Sequence, residues 1–185
     1  MRAFLAASFS PLLEASVRQA LDPLKGRAGG GYLWADPAEV HLTLRFLGEI
    51  PDEQAGPMGE AVARAVSSLK PFLLKTSAYG AFPYPDRARI AFVGMEDAAG
   101  ELLGLRGVLD AALMPFDIRW EEKPFVPHLT LARHRAGGSD LTQAFLHAGT
   151  PPASEHRLDA VILLRSVLIP GGARHSELAK AVLAG

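Results

Sequence analysis

The chain has 185 residues, 49% of them hydrophobic and 21% charged, with a formal net charge of −1. That is enough apolar surface for one compact domain. The near-neutral charge excludes a globally basic nucleic-acid binder, so any polyanion contact falls to a local group of arginines. Cysteine is absent, which excludes disulfides, thiol nucleophiles and cysteine zinc sites, and fits a reducing, cytoplasmic setting.

In chain order, Met1 to Pro11 opens with a basic residue and an apolar run that Ser10-Pro11 stops. It is too short for the roughly 20 apolar residues of a membrane span, so it reads as a first strand of a soluble protein. Ser10-Pro11 also predicts a helix start, and Leu13, Val17, Leu21 and Leu24 then fall on one helical face. Gly26 and Gly29-Gly30-Gly31 end that helix in a loop, Tyr32 to Ala35 is a short extended piece, and Asp36-Pro37 breaks it before a strand over 40–47. Asp52 is a candidate cap for a second helix carrying Ala61, Val62, Ala65, Val66 and Leu69.

Two strands are expected over 72–82 and 88–94, joined by a turn-rich Pro83-Tyr84-Pro85-Asp86-Arg87. Leu102, Leu105, Leu109 and Leu113 predict a helix despite three interspersed glycines, and 116–120 reads as extended. A strand over 125–134 follows, then a short helix capped by Ser139 and ended by Pro151-Pro152. The run 160–169 is the clearest strand of all, closed by Pro170-Gly171-Gly172. The tail 175–183 fits either a helix or a final strand.

One motif occurs twice: His41-Leu42-Thr43-Leu44 and His128-Leu129-Thr130-Leu131. With six His and five Thr in 185 residues, two His-x-Thr triplets with leucines on both sides of each Thr exceed what chance placement supplies. On a strand, alternate side chains share a face, so each copy sets an imidazole beside a hydroxyl and turns its leucines into a core. The two histidines are 87 residues apart (128 − 41), about half the chain. The fold class expected is therefore α+β: two pseudo-symmetric lobes, each an antiparallel sheet flanked by helices, within a single domain spanning 1–185. The histidine faces are expected to meet in a cleft between the lobes.

Two imidazoles suit phosphodiester hydrolysis without a metal. With an ordinary pKa near 6.5, one can be neutral and take a proton while the other is charged and gives one. Threonine hydroxyls and an arginine can hold the phosphoryl oxygens. A zinc site would need three convergent ligands, and no spacing in the chain offers them. Neither a metal nor a cofactor is expected, and His134, His147, His156 and His175 have no partner at ligand spacing.

The chain resembles the 2H phosphoesterases, and among them the bacterial and archaeal RNA 2′,3′-cyclic phosphodiesterases, also called 2′-5′ RNA ligases. The resemblance covers nearly the whole chain. It rests on the strand-then-Pro opening 4–11, on Trp34, on His41-Leu42-Thr43-Leu44-Arg45-Phe46-Leu47-Gly48-Glu49, on the run from Pro124 to Arg133, and on the late run 166–172. It implies lobes facing across a V-shaped cleft, with His41 as general acid on the leaving 3′ oxygen and His128 as general base on water. It further implies that a 2′,3′-cyclic phosphate opens to a 2′-phosphate, that Thr43 and Thr130 hold the phosphate, and that Arg133 contacts it. The sequence itself leaves the assignment of acid and base open.

Arg133, five residues after its histidine, would face away from His128 on a regular strand, so a bulge or strand end is expected near Ala132. The matching position after His41 is Phe46, which reads either as a stacking surface for a base or as ordinary core. Arg45, in phase with His41, either reaches the cleft or forms a surface ion pair. Where the family often has a tyrosine after the late Pro-Gly, this chain has Arg174-His175.

The expected substrates are RNA ends or cyclic nucleotides, and the expected working form is a monomer. Other cyclic or 2′-5′ phosphodiesters, including an ADP-ribose cyclic phosphate, fit the same four residues, as does reversible 2′-5′ ligation. The competing class is a non-catalytic RNA-binding or ligand-binding module, which a broken motif or a broad basic face would favour; both motifs here are intact.

Overall fold

In a computed structural model, residues 1–9, 12–118, 124–169 and 172–185 are described. The strands are β1 (Arg2–Ser8), β2 (Tyr32–Trp34), β3 (Leu42–Glu49), β4 (Phe72–Phe82), β5 (Ile90–Glu96), β6 (His128–His134), β7 (Glu155–Leu158), β8 (Ala160–Ile169) and β9 (Gly172–Val182). The helices are α1 (Leu12–Leu21), α2 (Ala55–Val66), α3 (Glu101–Leu113) and α4 (Thr142–Ala148).

The strands form an antiparallel sheet in the order β7-β4-β5-β6-β3-β1-β8-β9, with β2 also on β6. Read outward from the β6/β3 junction, the two halves repeat one plan. Each runs from a motif strand to a second strand, then a long third strand, then an edge strand. The α+β, two-lobed expectation therefore holds, and the sheets of the two lobes run into one another through the motif strands.

The lobes are not the two halves of the sequence. β8 and β9, from the end of the chain, complete the lobe of β1 and β3, and α1 packs on the other lobe, where the Tyr79 hydroxyl of β4 donates to the Ala20 carbonyl at 2.8 Å. In exchange, α3 serves β3, whose Arg45 pairs with Asp110.

The core lies on the sheet face opposite the motif hydroxyls. Leu5, Leu42, Leu44, Leu129 and Leu131 are buried there with Val17, Leu21 and Leu24 of α1 and the turn after it, and with Leu102, Leu105, Leu109 and Leu113 of α3. Each such leucine contributes roughly 1.5–3 kcal/mol of burial. These are the residues that period 2 and period 3.6 mark in the sequence.

Several expectations need correction. Asp52 does not cap α2; it lies in a 3₁₀ turn and accepts from the Met1 ammonium at 3.2 Å. The α4 start is held by Asp140, whose carboxylate accepts from the Thr142 amide, whereas the Ser139 hydroxyl is spent on Tyr32. Of the run 116–120 expected to be extended, Phe116 ends a 3₁₀ turn that starts at Met114, Asp117 takes a left-handed conformation and Ile118 is not in a strand; 119–120 lie outside the described residues, as do Ser10-Pro11 and Pro170-Gly171. The ambiguous tail is strand β9, since β8 offers it ten paired positions, and the short β7 had no expectation at all.

Candidate active site

The sheet junction builds the site. Leu42 of β3 and Leu129 of β6 are directly paired. Continuing that antiparallel register by one residue sets His41 opposite Thr130 and Thr43 opposite His128, with all four side chains on the face the leucines leave. All four line one cleft of about 970 Å³, together with Phe4, Trp34, Phe46 and Arg133.

Each imidazole is oriented in the same way. His41 Nδ1 bonds to the Glu39 carbonyl at 2.9 Å, and His128 Nδ1 to the Val126 carbonyl at 2.7 Å, in both cases two residues back. A carbonyl only accepts, so Nδ1 carries the proton and Nε2 keeps its lone pair. The rings are further held by aromatic neighbours. Phe4 stacks on His41 at 4.8 Å and His175 meets it edge-on at 4.9 Å. Phe92 and Phe82 approach His128 at 5.0 and 5.1 Å. Gly80 makes room for this second clamp, because a Cβ there would lie 2.4 Å from the Phe92 ring.

This packing disfavours charge on both histidines. Burial lowers the His41 pKa to about 4; the Glu39 carbonyl works against that, while the charges of His175, Arg133 and His128 add to it. Burial also lowers His128, with Val126 opposing and Arg133 reinforcing. These influences favour the neutral form of both imidazoles at pH 7, and an anion placed between them and Arg133 would favour their protonation.

The positions after each motif behave alike. Against β5, Ala91 pairs with Ala132 and Phe92 with Thr130, which leaves Leu131 as an extra residue in β6. Leu131 and Ala132 are consecutively buried, and the change of phase brings Arg133 back to the cleft. The bulge expected near Ala132 is thus present. On β3, Thr43 pairs with Ala6 and Arg45 with Leu5, so Leu44 is extra in the same way. Phe46, 52% exposed, then faces the cleft.

The same bulge takes Arg45 out of the cleft. Its Nε donates to Asp110 Oδ1 at 2.7 Å and its second nitrogen to Oδ2, a bidentate pair with α3. Of the two readings of Arg45, the ion pair is the one the structure shows, and the register shift is what keeps the side chain from the cleft.

Arg2 and His175 also line the cleft, although neither lies in a His-x-Thr motif. Alternation along β1 places Arg2 with Phe4, and His175 arrives through its pairing with Ser166 on β8. His134 and His156 are held in structural hydrogen bonds, and His147 is exposed on α4. His134 Nδ1 accepts from the Ala136 and Gly138 amides, and His156, 1% exposed, bonds to the Ser154 hydroxyl. Among the described residues no three His, Asp or Glu side chains converge as a metal-holding group, and no helix is long and apolar enough to cross a membrane.

The sequence matches the family LigT like Phosphoesterase over residues 12–92 and again over 93–167. It is 31% identical to the RNA 2′,3′-cyclic phosphodiesterase of Thermus thermophilus over 194 aligned positions, covering 100% of this chain and 91% of the relative. It is 26% identical to the protein of that name from Archaeoglobus fulgidus, over 96% of this chain and 98% of the relative. In three dimensions it resembles the crystal structure of TT0787 of Thermus thermophilus, with a TM-score of 0.80 at 29% identity, covering 100% of this chain and 99% of the other. The fold also matches Escherichia coli LigT, solved with 3′-AMP, at a TM-score of 0.75 and 22% identity, covering 100% and 98% of the two chains. A doubled match over 12–167 and a full-length likeness to the Thermus relative place this chain in the LigT-like phosphoesterase family, and so among the 2H phosphoesterases.

Proposed function

We propose that this phosphoesterase opens RNA 2′,3′-cyclic phosphate ends to 2′-phosphate ends by two-histidine acid and base catalysis, working as a single two-lobed unit. The observation that supports this most is the pairing of Leu42 with Leu129, which sets two His-Thr pairs on one cleft wall. The names of the Thermus and Archaeoglobus relatives supply the substrate.

In the forward direction, water bonds to phosphorus as His128 Nε2 takes its proton. The bond from phosphorus to O3′ breaks, and that oxygen receives the proton of His41. Thr43, Thr130 and Arg133 donate to the phosphoryl oxygens, where charge builds up. Burial disfavours charge on His41, lowering its pKa to about 4. The anionic phosphate, held by Arg133, removes that pressure and loads the acid. After turnover His128 is charged and His41 neutral, and exchange with solvent restores the starting state; a 5′-hydroxyl attacking in place of water, with the same acid and base, would give 2′-5′ ligation.

Phe46 offers an exposed ring for a base to stack on, without base selectivity. The test is hydrolysis of an RNA with a 2′,3′-cyclic phosphate terminus and identification of the new end. A 2′-phosphate supports the proposal. A 3′-phosphate reverses the leaving oxygen, and no turnover removes the substrate.

A further inference from the structure

The His41 ring belongs to a cluster of three. Phe4 and His41 are stacked with centres 4.8 Å apart and planes 29° apart. His175 stands nearly perpendicular to both, at 5.0 Å from Phe4 and 4.9 Å from His41. The three centres therefore form a nearly equilateral triangle, and the two imidazoles occupy the same few ångströms of cleft wall.

His175 is held differently from His41 and His128. Its Nδ1 is closed off from solvent with no hydrogen-bond partner, while the residue lines the cleft. A doubly protonated ring would strand an N–H at Nδ1, which costs more than leaving a bare lone pair there. The proton of the neutral ring thus belongs on Nε2, the nitrogen that a ligand can reach. His41 and His128 present a lone pair to the cleft, whereas His175 presents a donor.

The charges around His175 are those of the site itself. Glu39, in the turn before β3, favours its charged form, and Arg133 of β6 opposes it. His41 of β3 faces it directly, Phe4 of β1 and Ser166 of β8 are neutral, and the adjoining Arg174 approaches Glu39 at 3.8 Å. Burial is the largest influence and lowers the His175 pKa.

We propose that His175 donates its Nε2–H to a phosphoryl oxygen of the cyclic end bound beside His41. This rests on the cyclic-phosphate reading and adds to it a third imidazole that binds without exchanging protons. Since Glu39 also carries the carbonyl that orients His41, ligand contact at His175 and proton transfer at His41 share one small structural unit.

The test compares wild type with His175→Phe, which keeps a ring and removes the donor, and His175→Gln, whose amide nitrogen can replace Nε2. With an RNA ending in a 2′,3′-cyclic phosphate, H175F raises KM about 3- to 10-fold, the effect of one neutral hydrogen bond, and H175Q recovers most of it. The H175F effect is equal at pH 6.5 and pH 8, because the donor is uncharged. Unfolding of H175F occurs at or above the wild-type Tm, since an unpartnered buried nitrogen is removed.

Titration with uridine 2′-monophosphate reads the contact without turnover, and the same order of affinities is expected. If wild type opens no cyclic RNA end but that order holds, the contact stands and the activity reading falls. Equal KM and affinity for wild type and H175F, an H175Q as impaired as H175F, or an H175F effect that grows as pH falls would each overturn the donor role.

Discussion

Leu42 of β3 and Leu129 of β6 are cross-strand partners at the point where the two lobes join, and both are fully buried. Neither lines the cleft, yet their pairing decides that His41 faces Thr130 and His128 faces Thr43. A slip of one residue would turn one motif into the core.

Leu42→Ala should therefore lower stability by about 2–5 kcal/mol through the cavity it leaves, whereas Leu42→Met should cost less than about 1.5 kcal/mol. Equilibrium denaturation in urea measures both. Equal stability of Leu42→Ala and wild type would mean that the junction is not packed as described.

The Arg45–Asp110 pair binds β3 to α3 on the side away from the cleft. Arg45→Met should lower Tm, because Asp110 loses its bidentate partner, and should leave KM for a cyclic phosphate unchanged. A rise in KM with unchanged Tm would return Arg45 to the cleft. The register shift at Leu44 makes that outcome inconsistent with the strand geometry.

Acid should destabilise the fold before the carboxylates finish titrating. His41, His128, His156 and His175 are all lowered from 6.5, burial being the leading cause for each, and His41 reaches about 4. Below pH 6.5 the unfolded chain binds protons that the folded chain refuses, so stability is complete above that pH and is lost as pH falls toward about 4. Tm measured at pH 7, 5.5 and 4.5 should decline, and His41→Gln should decline less steeply. A Tm independent of pH over this window would contradict the burial of these rings.

Much of this was legible in the amino-acid order. The leucines of both motifs, the α1 and α3 faces and the β8 run are simple periodic signals, and the repeated His-x-Thr picked out four residues that share the cleft. The bulge at Leu131 was legible too, because Arg133 could reach the cleft only through one. What escaped depends on distant pairing. Arg45 leaves the cleft because β1 imposes a shift on β3, and Asp110 waits 65 residues away. His175 reaches His41 only because β9 pairs with β8, and the tail's apolar spacing does not distinguish that strand from a helix.

Phe46 should act as a platform for a base. Phe46→Ala is expected to raise KM for cyclic-phosphate RNA by about 5-fold or more, consistent with roughly 1–3 kcal/mol per stacked base, and by similar factors for all four terminal bases. Steady-state kinetics on four oligonucleotides that differ only in the last nucleoside measures this. A loss confined to one base would indicate hydrogen-bond readout in place of stacking.

The central claim is that two histidines, without a metal, carry the proton transfers. The most direct measurement is hydrolysis of a 2′,3′-cyclic phosphate RNA in EDTA by wild type, His41→Ala and His128→Ala, each first checked for folding. The account predicts full wild-type activity in chelator and a loss of at least about 10²-fold in kcat for each variant, the usual value of one general acid or base. Activity abolished by EDTA, or a folded variant that retains wild-type kcat, would contradict it.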